Sequence, residues 1–208
     1  MKVLLVNGSP HKNGCTYTAL TEVAKTLEEE GIATEIFHIG TKPINGCLAC
    51  GHCKLYKRCV IEDCVNEFLD IAKDADGFVF GSPVHFASAG GAITSFMDRA
   101  FYSDFNKETF YLKPACAVVA ARRAGTTAAF DMLNKYFTIA QMPIISSQYW
   151  NMVHGHTPEE VKQDLEGLQT MRTLGRNMAW FLKCKEAGIK AGVPFPKREE
   201  KLITNFIR

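Results

Sequence analysis

Lys2-Val3-Leu4-Leu5-Val6-Asn7-Gly8-Ser9-Pro10-His11-Lys12-Asn13-Gly14-Cys15-Thr16-Tyr17 opens the chain. Lys2 to Asn7 is a short Val/Leu run without polar alternation, the pattern of a strand buried on both faces. Gly8 to Gly14 breaks regular structure. From Thr16 to Glu30, Leu20, Val23, Ala24 and Leu27 recur at helical spacing, and Gly31 stops the helix. A buried strand, a glycine-bounded turn and an amphipathic helix predict the first βα unit of a parallel sheet.

The same alternation continues outward. Thr34 to Ile39 reads as a second strand and Val65 to Lys73 as a helix. Gly77 to Gly81 is a third strand, ending at Ser82-Pro83, with a helix over Ala92 to Phe101. Pro114 to Ala121 is a fourth strand, followed by a helix over Thr127 to Ile139, and Pro143 to Trp150 is a fifth. The last helix starts at Thr157-Pro158-Glu159-Glu160, with a capping Thr, a first-turn Pro and a Glu three residues after the cap, and Gly188 closes it. Five strands alternating with five helices predict an α/β fold with a doubly wound five-stranded parallel sheet. The chain divides into a domain over 1-187, carrying a Cys-rich insertion at 45-64, and a C-terminal extension over 188-208. In the extension Lys197, Arg198 and Lys201 read as a solvated basic tail. Ligands of such sheets sit at the carboxyl ends of the strands, so the turns after Asn7, Gly81 and Ala121 are the candidates.

Composition narrows the function. The chain has 208 residues, 47% hydrophobic and 22% charged, enough for a sizeable core and against disorder. A net charge of +2 gives no electrostatic reason to expect nucleic-acid or membrane binding. No apolar run approaches the ~20 residues of a membrane span, and the N-terminal apolar stretch is too short for a signal peptide. A cytoplasmic protein is expected, with its eight cysteines reduced. Five of them crowd between Cys47 and Cys64, which in that compartment suggests a metal or redox role more than disulfides.

The first turn lacks the G-x-G-x-x-G dinucleotide pattern. It also lacks a P-loop, because Gly8 and Gly14 are six apart and no Lys-Thr follows. Amides at a helix N-terminus attract phosphate, so a mononucleotide phosphate without Mg²⁺ fits it, and an ordinary capped βα turn is the alternative. The third strand continues as Gly81-Ser82-Pro83-Val84-His85-Phe86, then Gly90-Gly91 and Phe96-Met97-Asp98-Arg99. A proline ending the strand turns the backbone out over the sheet edge. His85 and Phe86 then lie beside a flat aromatic ligand, or Phe86 is a core residue of a structural turn.

Taken together, GSPHKNGCT, GSPVHF, the Asp98-Arg99 pair and the element order resemble the NADPH-dependent FMN reductase family of flavodoxin-like proteins. The resemblance covers roughly Met1 to Trp150. It implies an FMN phosphate held by Ser9, His11, Asn13, Cys15 and Thr16, with Tyr17 nearby. It also implies an isoalloxazine lined by Pro83, Val84, His85 and Phe86, and a pyrimidine edge met by Arg122 to Thr126, Gly125 included. Cys15 stands where relatives often have Ser or Asn, and His85 where many have Tyr. A thiol is a weak donor, so Cys15 contributes its backbone N–H.

The cysteine segment is Cys47-x₂-Cys50-x₂-Cys53-x₅-Cys59, with Cys64 beyond. Short loops let three thiolates face one cluster. The segment resembles that of the iron–sulfur flavoproteins, which carry a 4Fe–4S cluster, although the ferredoxin run of x₃ followed by proline is absent. Zinc, with His52 inside the run, and free thiols are the other two readings. His154 and His156 form a weak metal candidate or a solvated loop. Cys116 reads as a buried hydrophobe, Cys184 has no partner in sequence, and Trp150 and Trp180 read as packing or subunit-interface residues.

The resulting expectation is an FMN-dependent oxidoreductase that takes hydride from NAD(P)H in a ping-pong cycle. It passes electrons to a small-molecule acceptor such as a quinone or flavin, without a side-chain nucleophile or base. One alternative is an iron–sulfur flavoprotein with a cluster on Cys47, Cys50, Cys53 and Cys59 that exchanges electrons with ferredoxin. Another is a non-enzymatic flavin carrier or regulatory module. The apolar excess of the last helix (Met171, Leu174, Met178, Trp180, Phe181) predicts a homodimer or homotetramer.

Overall fold

In the computed structural model, which describes residues 1–104, 108–200 and 202–206, the first strand is covered on both sides. Lys201 of the basic tail and residues 207–208 of the extension lie outside the described residues. Along β1 (Lys2–Asn7), Leu4 and Val6 enter one apolar core while Val3 and Leu5 enter the other, and all four are fully buried. Two cores explain why the strand shows no polar alternation. One core holds α1 (Cys15–Glu29) and α7 (Leu165–Lys190) against the sheet. The other holds α3 (Cys64–Ala72), α4 (Gly91–Ser103) and α5 (Thr126–Ile139). That second core is built on phenylalanine. Phe68 sits 5.1 to 6.3 Å from the rings of Phe96, Phe80, Phe78 and Phe110, and a buried ring of this kind contributes about 2–3 kcal/mol.

The sheet runs β2 (Ala33–His38), β1, β3 (Gly77–His85), β5 (Ala115–Ala121), β6 (Met152–His154), all parallel. The fold is α/β, doubly wound and flavodoxin-like, as the sequence predicts. The strand order reverses between β1 and β3, where Asn7 lies opposite Gly81, so the switch-point crevice opens above those two residues. Two short helices, α2 (His52–Tyr56) and α6 (Pro158–Val161), complete the chain. Among the described residues no helix is long and apolar enough to cross a membrane.

Five details differ from the sequence reading. The third strand does not end at Ser82-Pro83. It runs on to His85, paired with β5 as far as Pro83 opposite Ala120, and turns back into the antiparallel β4 (Ser88–Ala89). Gly81 points its carbonyl at β1, so Pro83 turns its nitrogen the same way. β1 has already ended there, so the missing N–H forfeits no ladder bond. The fifth strand is Met152–His154, not Pro143 to Trp150. Ile144 makes a single bridge to Ala115, residues 146–150 leave the sheet, and Asn151 rejoins it through Nδ2 to Ala117 O at 3.1 Å. Thr157 does cap a helix, accepting from Glu160 N, but that helix is only the four residues of α6. Asp164 starts α7 afresh because its carboxylate accepts both Gly167 N and His154 N, pinning the new helix to β6. Gly188 lies inside α7, which continues to Lys190. Trp150 and Trp180 are half or more exposed and are not core packing residues, whereas Cys116 is fully buried.

Candidate functional site

The turn after β1 is built around Asn7, the polar end of an apolar strand. Asn7 Oδ1 accepts Ser9 N at 3.1 Å and Nδ2 donates to Lys12 O at 3.0 Å. Ser9 Oγ accepts His11 N at 3.1 Å, and His38 Nε2 donates to Ser9 O at 2.8 Å. Gly8 N donates to Gly81 O at 2.9 Å, and a Cβ on Gly8 would stand 2.6 Å from that oxygen, so the turns after β1 and β3 touch. Ser9 and Thr16 are buried, Cys15 and Tyr17 partly buried, and His11 and Asn13 exposed along the rim.

The segment after Gly81 is a hairpin tip. Ser82 Oγ donates to Pro83 O at 2.8 Å and accepts Gly90 N at 3.0 Å, tying the base of the hairpin. Pro83 and Val84 are partly buried and His85 exposed. The two-residue loop Phe86-Ala87 has φ of 49° and 57°, the sign pattern of a type I′ turn that normally takes Asn-Gly. A Phe held in that region is strained, and its ring is wholly exposed, so Phe86 is no core residue. The third turn abuts this hairpin. Gly125 has φ +91°, and a Cβ there would stand 2.6 Å from Ala87 Cα. Arg122 is exposed on this turn, and Thr126 is buried at the start of α5.

The three turns bring together helix ends that are open to an anion. α1, α4 and α5 have Gly14, Gly90 and Gly125 as N-caps, with no side-chain cap and no acidic residue in the first turn. Among the described residues the first-turn amides of Thr16 and Tyr17 have no backbone acceptor. By contrast α3, α6 and α7 are capped by Asp63, Thr157 and Asp164. Uncapped N-termini carry partial positive charge, and a phosphate satisfies them. The Cys15 thiol does not face this end. Its Sγ lies 3.6 Å from Gly155 O, and burial, with Glu160 and Glu159 behind it, pushes its pKa up against the opposing backbone hydrogen bond.

The four cysteines Cys47, Cys50, Cys53 and Cys59 line a single pocket with Arg99 and Tyr102, walled by Leu48, Val60 and Ile61. Arg99, which the sequence reading took only as part of a family mark, is 1% exposed and holds this pocket. Its Nη1 and Nη2 pair with Asp63 at 2.6 and 2.9 Å, and its Nε and Nη2 each reach Cys59 Sγ at 3.3 Å. Burial disfavours the charged guanidinium. Its bonds to Asp63 and Cys59 outweigh that, so its pKa lies above the ordinary arginine value. Among the described residues no three His, Cys, Asp or Glu side chains converge on one ion, and the His52 ring stacks on Tyr56. A 4Fe–4S cluster takes each thiolate on a different iron, so four sulfurs spread around an apolar pocket with N–H donors at one of them fit that group. Cys64 is no part of the pocket lining. Burial first, then Asp63 and Glu67, push its thiol up to about 11. Pocket and hairpin share α4. Arg99 stands eight residues beyond Gly91, about 12 Å at helical rise.

The sequence reading missed Asn7, His38, Ser82, Asp63 and Asn66. Asn7 left a signal, a lone amide ending an apolar strand before Gly-Ser. The others act across 29 residues or more, or within loops of no fixed pattern.

Comparison with known proteins agrees with this geometry. An iron–sulfur flavoprotein of Methanocaldococcus jannaschii is 33% identical over 192 residues, covering 88% of this chain and 98% of that one. One of Methanosarcina thermophila is 23% identical over 187 residues, covering 88% and 96%. Among solved structures, the flavoenzyme NAD(P)H:acceptor oxidoreductase FerB of Paracoccus denitrificans superposes with a TM-score of 0.64 at 16% identity, covering 88% of this chain and 97% of that one. RosB, solved with a bound riboflavin-phosphate derivative, gives 0.69 at 14%, covering 99% and 92%. Residues 1–157 match the family described as NADPH-dependent FMN reductase, and the chain belongs to that family.

Proposed function

We propose that this chain is an FMN-dependent oxidoreductase whose cysteine pocket holds a 4Fe–4S cluster. The observation that carries the flavin reading is the convergence of three glycine-capped, uncapped-by-side-chain helix ends on the β1–β3 switch point. The amides of Cys15, Thr16 and Tyr17 and the Ser9 hydroxyl take the phosphate, with His11 and Asn13 at the rim. The hairpin from Pro83 to Phe86, strained at its Phe86-Ala87 tip, would line the ring system. Arg122, Gly125 and Thr126 meet its polar edge, where the α5 dipole favours negative charge on the ring. FMN, when bound, supplies a ring that accepts hydride and releases electrons singly or in pairs. The residues bind, orient and stabilise charge, and none serves as nucleophile or base.

NAD(P)H is the donor that the family description favours, with a small-molecule acceptor such as a quinone or flavin. A second reading, in which ferredoxin exchanges electrons with the cluster, is favoured by the exposure of Cys47 and Cys50 and by the names of the curated relatives. A non-enzymatic carrier fits less well with a net charge of +2 than with a strongly acidic surface. Exposed Tyr149, Trp150 and Trp180 support a homodimer or homotetramer.

The test is an absorption spectrum with iron analysis on anaerobically purified protein, followed by reduction with NADPH, NADH or reduced ferredoxin. Flavin bands and about four irons per chain are expected, and Cys50→Ser should lose the iron and keep the flavin. Absence of flavin bands together with no FMN uptake refutes the flavin reading. Flavin without iron removes the cluster. Reduction by ferredoxin but not by NAD(P)H selects the second reading.

A further inference from the structure

Cys59 is the most firmly held of the four pocket cysteines. Its amide donates to Asn66 Oδ1 at 3.1 Å, and Asn66 Nδ2 returns bonds to Cys59 O at 3.0 Å and Ile61 O at 3.2 Å. Its sulfur accepts two N–H groups from Arg99, each at 3.3 Å. The other three thiols are held loosely. Cys47 Sγ takes one amide, Ala49 N, at 3.5 Å, Cys53 Sγ lies 4.0 Å from Tyr102 O, and Cys47 and Cys50 are exposed.

Arg99 has more partners than its charge needs. The two-point pairing with Asp63 already neutralises the guanidinium. Nη2 also donates to Ile61 O at 3.0 Å and Nη1 to Asn45 O at 3.5 Å, so the same fork ties down the loops on both sides of the pocket. What remains is directed at one sulfur. Hydrogen bonds to ligand sulfurs and nearby fixed charge are two of the means by which a protein sets a cluster's potential.

We propose that Arg99 is a positioning residue that fixes Cys59 Sγ as a preset cluster ligand and raises the cluster's reduction potential through its two N–H···S bonds. This rests on the cluster reading above. Reduction places more negative charge on the ligand sulfurs, and two fixed N–H donors at one of them favour that state. One electron enters and no proton moves at this position, because a guanidinium keeps its protons.

The experiment is a potentiometric titration of anaerobically purified holoprotein, following the cluster by electron paramagnetic resonance and the flavin by absorbance. Arg99→Gln should lower the cluster midpoint. Arg99→Lys, which keeps the charge but loses the fork, should fall between it and the native protein. The flavin midpoint should stay in place. A fully loaded Arg99→Gln protein with the native cluster midpoint overturns the proposal, as does an equal shift at the flavin. Should both variants lose their iron, the native protein decides. With ¹⁵N-guanidino arginine, the reduced cluster should show hyperfine coupling to ¹⁵N in pulsed resonance, and absence of that coupling overturns the proposal. Native protein without iron overturns the cluster reading, and the proposal with it. That result is distinct from an iron-loaded protein whose midpoint does not move.

Discussion

Gly125→Ala tests whether the third turn must seat against the hairpin for flavin to bind. Gly125 has φ +91°, so a side chain there meets backbone strain of about 1–2 kcal/mol. The new Cβ would also stand 2.6 Å from Ala87 Cα and 3.0 Å from both Ala87 Cβ and Val84 Cγ1. These are backbone and branched-chain atoms in an already strained tip, so the overlap costs a further ~1–3 kcal/mol. A total of about 2–5 kcal/mol lowers Tm by roughly 5–15 °C in a chain of this size. If the turn relieves the overlap by moving, FMN binding must restore it, and affinity should fall about 10- to 100-fold. Gly31→Ala is the control. Its φ is +79°, nothing lies within 4 Å of its Cβ position, and it is at the far end of α1, so it should cost stability but leave FMN affinity intact. The assays are calorimetry on apoprotein and quenching of free-flavin fluorescence on titration. Native FMN affinity in Gly125→Ala, alongside a Tm loss matching that of Gly31→Ala, would refute the claim that turn and hairpin form one seat.

Ser82→Ala removes the fully buried hydroxyl that accepts Gly90 N, leaving a buried amide unpaired. A loss of about 1–3 kcal/mol is expected by denaturant unfolding, and an unchanged midpoint would show that the bond does not hold the hairpin base. The Cys64 thiol, pushed up to about 11, is almost wholly protonated at pH 8. Iodoacetamide followed by mass spectrometry should therefore label exposed Cys184 and spare Cys64 and buried Cys116, with Cys64 labelling rising as pH approaches 11. Equal labelling of Cys64 and Cys184 at pH 8 would contradict this.

The elements legible in the sequence were those whose signal is local. β1, its turn and α1 follow from an apolar run, two glycines and a helical repeat, because both faces of the strand are covered by the same chain. The hairpin after β3 was hidden by Pro83, which reads as a stop. Only the register, with β1 already finished opposite Gly81, shows why a proline is tolerated there. Tyr149 and Trp150 read as strand because aromatic residues favour strands, yet they lie on an excursion between two short pairings with β5. The residues proposed for the flavin site fall on three turns the topology rule picks out, whereas Arg99, Asp63 and Asn66 depend on contacts between α4, α3 and the cysteine segment that no spacing encodes.

The adjacent pair Asp98-Arg99 acquires a physical meaning from the helix that carries it. Phe96, Met97 and Ala100 are fully buried and seat α4 on the sheet, which leaves two flanks for polar residues. Neighbouring helix positions differ by about 100°, so two consecutive side chains leave on different flanks. Asp98 Oδ1 accepts the Tyr136 hydroxyl of α5 at 2.5 Å, and burial, with Asp98 behind it, pushes that phenol above its usual pKa. Arg99 goes the other way, to Asp63 and Cys59. One flank of α4 thus anchors the helix whose first residue follows Gly125, and the other anchors the cysteine pocket. Both anchors lie on one helix rather than on separate loops. Of two adjacent charged residues, the exposed Asp98 therefore holds α5, and the buried Arg99 holds the cysteine pocket.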